Sequence, residues 1–366
     1  MRILFLIFMS AYLGGNVYVF VRALQLFAGC SIWLKVLVGL LFWIVAFAMV
    51  IALFARGFGL PDIVMKTLYL IGSVWMVFTL YMVPALLLLD VARVVGLPIR
   101  NGVLLAAGVV VCMLLYGYWN YRNPRVEHID IELDKHLECD LRIVAISDVH
   151  LGDGTGKRAL GRYVDLINAQ RPDLIVVGGD LIDNSLVPVL RNNMAEELRR
   201  LEAPMGIYMA PGNHEYISGI EDVVTFLETT PITLLRDSVV TLPCGLQIVG
   251  RDDVSNRRRM LLKDLMARCD AAKPILVLDH QPYKLASADS LGVDMQFSGH
   301  THHGQVWPVS ILTDKMFEQS HGYRKWTNSH IYVSSGLSLW GPPFRIGTHS
   351  DMAVFHLKST ARQSNQ

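Results

Sequence analysis

Histidine is absent from the first 127 residues of the chain, and acidic side chains are nearly absent from its first 120, where only Asp62 and Asp90 occur. So little charge excludes an ordinary soluble surface over that stretch. Charge is scarce in the whole chain, at 18% against the ~25% usual for soluble domains, while 52% of residues are hydrophobic. Such a composition excludes a disordered or collagen-like chain. A net charge of +1 provides no basic excess for a nucleic-acid surface, so no nucleic-acid partner is expected. Five cysteines are too few for a disulfide scaffold, and none are paired at zinc-ligand spacing.

What is present divides the chain in two. Four stretches carry no charge: Ile3–Val21, Val36–Ala55, Thr67–Leu89 and Asn101–Tyr121. Each is bracketed by charge and approaches or exceeds the ~20 apolar residues that cross a hydrocarbon core as a helix. Tyr116, Tyr118, Trp119 and Tyr121 crowd the end of the fourth, as an interfacial aromatic belt does. The first stretch reads as an uncleaved helix, because its basic flank is a lone Arg2 and no small-residue cleavage site follows. Asp90 and Arg93, three residues apart, are expected to pair at a helix end; Asn16 is the other strongly polar residue well inside a span. Even-numbered spans put both termini on one side, with Arg2, Arg56, Lys66, Arg122 and Arg125 against Arg22, Lys35, Arg93 and Arg100 on the other. That small positive-inside excess, with cysteines unpaired, points to a multi-pass inner-membrane protein whose C-terminal part faces the cytoplasm. The expected organisation is a four-helix membrane region at 1–122, a linker with a first strand at 123–140, a catalytic domain at 141–358 and a loose tail at 359–366.

After Pro124 the pattern becomes that of strands and helices. His128–Leu133 alternates with period two, and Leu141–Ser147, Leu174–Gly178, Gly206–Ala210, Leu246–Gly250, Ile275–Leu278, Met295–Ser298 and Ile331–Ser334 are short apolar runs. Helical segments are expected at Ala159–Gln170, Leu190–Leu201, Ile220–Glu228 and Arg258–Cys269, which makes a layered α/β domain. Five of the strands end in polar signatures: Ser147-Asp-Val-His150, Gly179-Asp-Leu-Ile-Asp183, Gly212-Asn-His-Glu215, Asp279-His-Gln281 and Gly299-His-Thr-His-His-Gly304. Sites in such sheets lie at the carboxyl ends of strands. Carboxylates, an amide and imidazoles without thiolates suit Mn, Fe, Zn or Ni. The set is too large for one ion. Two divalent ions ~3.5–4 Å apart, the clamp of phosphatases and nucleases, would use it in full.

Those five pieces in this order resemble the calcineurin-like metallophosphoesterase family, over roughly residues 126–358 and in particular its membrane-associated bacterial YkuE/YaeI-type branch. Gly250-Arg-Asp-Asp253, Val333-Ser-Ser-Gly-Leu337 and Pro343-Phe-Arg345 are similar to that branch too. The resemblance implies a four-layer α/β/β/α sandwich behind the helices. It implies Asp148, His150 and His302 on one metal, Asn213, His280 and His300 on the other, and Asp180 as the bridge. His214 would serve the leaving group, with Asp183 and Glu215 orienting ligands. Arg251, Arg345 and His303 are candidates to meet substrate. Some members of that branch cleave UDP-2,3-diacylglucosamine, so the implied substrate is a phosphodiester or pyrophosphate, with a lipid-linked one favoured by the short tether between the last span and Asp148. Two other readings stay open: a soluble or wall-derived phosphoester, and a membrane sensor or transporter with a regulatory metal domain. Gly152–Lys157 is not a P-loop, since its spacing is one short and Arg158 stands where Ser or Thr is needed.

Overall fold

The computed structural model describes residues 2–54 and 61–360, so Ala55, Arg56 and the tail 361–366 lie outside the described residues. The chain forms two compact units, one helical and one built on strands. The helical unit contains α1 (Arg2–Leu26), α2 (Ile32–Phe54), α3 (Asp62–Val94) and most of α4 (Gly102–Arg122). The shortest of them has 21 residues, about 31 Å at 1.5 Å per residue, so all four are long and apolar enough to cross a bilayer. α1 and α3 run beyond the uncharged stretches and take in Arg22, Lys66, Asp90 and Arg93 near their ends. Asp90 pairs with Arg22 of α1 and accepts the Tyr18 hydroxyl, rather than pairing with Arg93 as its spacing suggests. Asn16 is buried, accepts Trp75 Nε1 at 2.7 Å and donates to the Tyr12 carbonyl at 2.9 Å.

The second unit is a sandwich of two six-stranded sheets. Its strands are β1 (Arg125–Leu133), β2 (Leu141–Ile146), β3 (Leu174–Val177), β4 (Ile207–Met209), β5 (Ile232–Leu234), β6 (Ser238–Thr241), β7 (Gln247–Gly250), β8 (Ile275–Leu278), β9 (Met295–Ser298), β10 (Gly322–Lys325), β11 (His330–Val333) and β12 (Asp351–Ser359). One sheet has the order β1-β12-β2-β3-β4-β5 and the other β10-β11-β9-β8-β7-β6. Alternation assigns each face. Ile143, Ala145 and Val176 point into a core shared with Leu276, Phe297 and Phe355, whereas Val144, Ile146 and Val177 pack under helices. The helices are α5 (Lys157–Asn168), α6 (Val187–Arg191), α7 (Ala195–Leu198), α8 (Asn213–Ile217), α9 (Ile220–Leu227), α10 (Leu262–Met266), α11 (Leu285–Ser290) and α12 (Val309–Met316). Leu160, Tyr163 and Phe226 cover the first sheet, and Leu265 and Ala288 the second. These are the four layers α/β/β/α.

Several expectations needed correction. Leu190–Leu201 is not one helix: the chain breaks at Asn192 and Asn193, the latter at φ 47°, a left-handed stop that asparagine tolerates. In Arg258–Cys269 only Leu262–Met266 is helical. β12 has no counterpart in the sequence reading, yet it lies between β1 and β2, parallel to the first and antiparallel to the second. β1 pairs with it over nine residues, so Arg125–Leu133 is an edge strand of the sandwich.

Candidate metal centre

Parallel pairing of β2, β3 and β4 in one sheet and of β8 and β9 in the other brings five carboxyl ends together. The turns after them are tight and strained. Asp148, His150, Asp180, His300 and His302 all lie at positive φ, between 47° and 71°, at about 1–3 kcal/mol each for a residue with a side chain. Glycine makes the approach feasible at Gly212, where a Cβ would lie 2.2 Å from Asp180 Oδ1, and at Gly299, where it would meet Ser147 Oγ at 1.9 Å.

Two groups of potential ligand atoms result. Asp148, His150 and His302 form one, with His302 Nε2 at 3.4 Å from Asp148 Oδ1 and at 3.1 Å from His150 Nε2. Asp180, His280 and His300 form the other, with His280 Nε2 at 3.1 Å from Asp180 Oδ2. The same Oδ2 is 3.9 Å from His150 Nε2, so Asp180 faces both groups. Asn213 Oδ1 is buried without a hydrogen-bond partner. Asp183 Oδ1 is 3.4 Å from His150 Nδ1 and 3.3 Å from His214 Nδ1, which sets one residue of the first group and the adjoining histidine beside a single carboxylate. Glu215 is buried and accepts the backbone N–H of Asp180, Ile182 and Gly212, which fixes the turn that presents Asp180.

The electrostatics call for cations. His280 Nδ1 donates to the Gly178 carbonyl at 2.7 Å, so in a neutral ring Nε2 would aim a lone pair at the Asp180 carboxylate. Burial alone pushes His280 down, but Asp180 raises it well above the histidine range. Burial likewise depresses His150, and its contacts with Asp148 and Asp183 bring it up to about 10. Burial pushes Asp180 up, yet His280 holds it at about 2. His300 and His302, for which burial dominates, fall to about 4 and about 3 and are neutral donors at any physiological pH. Two buried carboxylates that draw positive charge onto their histidine neighbours, two neutral imidazoles and an unpaired amide oxygen fit two divalent metal ions.

Three residues expected to meet substrate have partners within the protein. Arg345 is fully buried and donates to the carbonyls of His302, Ser335 and Ser338, so it braces the loop that carries His302 and cannot reach a phosphate. Arg251 is paired with Asp279, the residue before His280, and Arg259 completes that cluster at 3.2 Å. His303 stacks on His321, with ring centroids 3.5 Å apart, and belongs to neither group. Conversely, Trp340 went unnoticed. It is 44% exposed and its ring is 6.5 Å from that of His214. Tyr283, 45% exposed, is 6.4 Å from His300 and stacks on Phe317. Exposed aromatics outside any motif carry no local signal in the sequence.

The family model for calcineurin-like phosphoesterases matches residues 141–304. A metallophosphoesterase of Helicobacter pylori is 34% identical over 246 residues, which are 66% of this chain and 65% of the relative, so the chain spans about two thirds of that protein. A transmembrane protein with metallophosphoesterase domain from Danio rerio is 32% identical over 273 residues, 69% of this chain and 62% of the relative. The metallophosphoesterase YkuE of Bacillus subtilis is 31% identical over 277 residues, covering 70% of this chain and 94% of YkuE. With the ordered ligand turns at five adjoining strand ends, these matches make the chain a member of the calcineurin-like metallophosphoesterase family.

Proposed function

We propose that the protein is a membrane-anchored, dinuclear-metal phosphoester hydrolase. The observation that carries this is the position of Asp180, whose carboxylate faces both ligand groups at once. On this reading Asp148, His150 and His302 hold one ion, Asn213, His280 and His300 the other, and Asp180 bridges them. Bound there, the pair would lower the pKa of a shared water and neutralise phosphoryl oxygens. His214 supplies the remaining chemistry: Asp183 beside its Nδ1 keeps the proton on that nitrogen, and Nε2 serves the leaving oxygen. Glu215 and Arg345 act by position, holding the turns of Asp180 and His302.

For the substrate we favour a phosphodiester or pyrophosphate on a lipid, over a soluble or wall-derived ester. Support comes from the apolar surface around the centre. Beyond Trp340 and Tyr283, the loop after His302 leads into α12, where Ile311, Leu312 and Met316 are exposed. Exposed apolar residues so close to a catalytic rim mark a binding surface. Our reading of the catalytic unit as cytoplasmic, at the inner membrane, is supported by the five-to-four excess of basic residues flanking the spans. A C-terminal reporter active only outside the cytoplasm would refute that side. The substrate reading is tested with the detergent-solubilised full chain and diesters of increasing acyl length. Each buried methylene is worth about 0.8 kcal/mol, so kcat/KM should climb about fourfold for each carbon added. A flat profile would transfer the assignment to a soluble ester.

A further inference from the structure

The second unit begins at Trp119, so the last turn of α4, from Trp119 to Arg122, packs as part of the sandwich. Two side chains of that turn are buried, Asn120 and Tyr121, and the function proposed above uses neither. A shielded amide needs partners, and here it has them. Asn120 Nδ2 donates to the carbonyl of Thr348 at 2.7 Å and to that of Arg345 at 3.0 Å. An amide nitrogen carries two protons, so this one side chain closes the turn between residues 345 and 348. The Tyr121 hydroxyl lies 3.4 Å from Ser338 Oγ, which also meets Thr155 Oγ1 at 2.7 Å.

Both sets of contacts lead to the same metal group. The turn 345–348 holds the loop of His302 at three points. Arg345 Nη1 donates to the His302 carbonyl, Thr348 Oγ1 donates to the Gln305 carbonyl, and the Ile346 carbonyl accepts the Trp307 N–H at 2.7 Å. Ser338 N–H donates to the Asp148 carbonyl at 3.1 Å, and Leu337 N–H to the Ser147 carbonyl at 2.9 Å. Gly336 lies directly against both ligands: a Cβ there would be 2.9 Å from Asp148 Cβ and 3.1 Å from His302 Nδ1. Residues 334–350 form no helix or strand beyond a single bridge at Ile346, so bonds of this kind set the course of the segment. In a densely packed interior, a shift of that segment is passed on to the ligands it touches.

We propose that Asn120 and Tyr121 are positioning residues for the metal group of Asp148, His150 and His302. They fix the segment 336–348 and, through it, two of the three ligands of the first ion; the inference rests on the dinuclear reading given above. The first ion should feel their loss before the second, whose ligand His280 is held by the Gly178 carbonyl at 2.7 Å. Asparagine is the residue type the place requires. Aspartate has the same shape but would set an oxygen against two carbonyl oxygens.

Metal binding to the full chain in detergent decides the matter. The protein is stripped with chelator and titrated with Mn²⁺, free ion being counted by its electron paramagnetic resonance signal. Wild type should bind two ions. Asn120→Asp should weaken one of the two sites about tenfold and spare the other, and Tyr121→Phe should weaken the same site less. In a His302→Ala background, where the first ion is already compromised, Asn120→Asp should add nothing. Asn123→Ala is the control: its Nδ2 bonds only back to the Trp119 carbonyl at 2.6 Å, so both sites should stay as in wild type. If Asn120→Asp does not fold, Tyr121→Phe, which loses a single hydroxyl, carries the test. Unchanged sites in the Asn120 and Tyr121 variants would overturn the inference. So would equal weakening of both sites in step with a lower unfolding temperature, since that is general loosening. A wild type that binds fewer than two ions would instead refute the dinuclear reading, and this inference with it.

Discussion

Both units of the chain hold polar side chains in their interiors, and they differ in how many they leave unpaired. In the helical unit Asn16 has Trp75 and the Tyr12 carbonyl and Asp90 has Arg22 and Tyr18, so that among the described residues only Arg22 Nε is buried there without a partner. In the sandwich Asn213 Oδ1 and His280 Nε2 are buried without a hydrogen-bond partner. A buried polar atom left unpaired costs about 1–3 kcal/mol, and the positive φ of Asp148, His150, Asp180, His300 and His302 costs about as much for each. No fold keeps so many such penalties in one place unless something restores the balance, and divalent ions would. The contrast teaches where to look. Polarity that is buried and satisfied specifies packing, whereas polarity that is buried and unsatisfied marks a site.

The sharpest way to break the comparison is to remove the carboxylate shared by both groups. Asp180→Asn should abolish turnover and lower bound metal together, as read by metal analysis and by a chromogenic diester assay. Full metal content in that variant would mean that the carboxylate does not bridge. Next in size is His214→Ala, expected to retain both ions of the centre while kcat falls ~10²–10⁴-fold, the range for loss of a general acid. An active His214→Ala enzyme would remove the leaving-group role. Asp183→Asn should cost less, about 10–100-fold, because it acts through the rings of His150 and His214 rather than on substrate. Its effect should vanish in the His214→Ala background if that imidazole is its main client; two fully additive losses would assign it to the metals alone.

How legible this was depends on how local each signal is. The ligand turns were readable because each sits directly after an apolar strand, and strand order alone brings them to one rim. The same runs indicated a layered α/β domain, while its two-sheet sandwich form followed only from the family resemblance. β12 was not, because Met352, Ala353, Val354, Phe355 and Leu357 are buried on both faces and show no alternation. Helix breaks at Asn193 depend on one dihedral that propensity does not report. Arg251 and Arg345 illustrate the harder limit. A guanidinium beside a metal motif suggests phosphate, but whether it faces the cleft or the core is set by partners far away in the chain: Asp279 for the first, and the carbonyls of residues 302, 335 and 338 for the second.

The helical side of the comparison offers the smallest effect and the cleanest control. Asn16→Leu removes the acceptor of Trp75 Nε1 at 2.7 Å and of the Thr79 hydroxyl at 3.4 Å, both on α3. Interhelical hydrogen bonds in membranes average about 0.6 kcal/mol, since the separated helices find other partners for their polar groups. The leucine adds apolar volume that offsets part of this. Thermal unfolding in detergent should therefore move by no more than a few degrees, and kcat on a small chromogenic diester should stay within about twofold of wild type. If the polar groups of the helices serve only packing, nothing in the metal centre depends on Asn16. A loss of kcat comparable to that of Asp183→Asn, with the fold intact, would give the helices a part in the reaction and erase the distinction between satisfied and unsatisfied polarity.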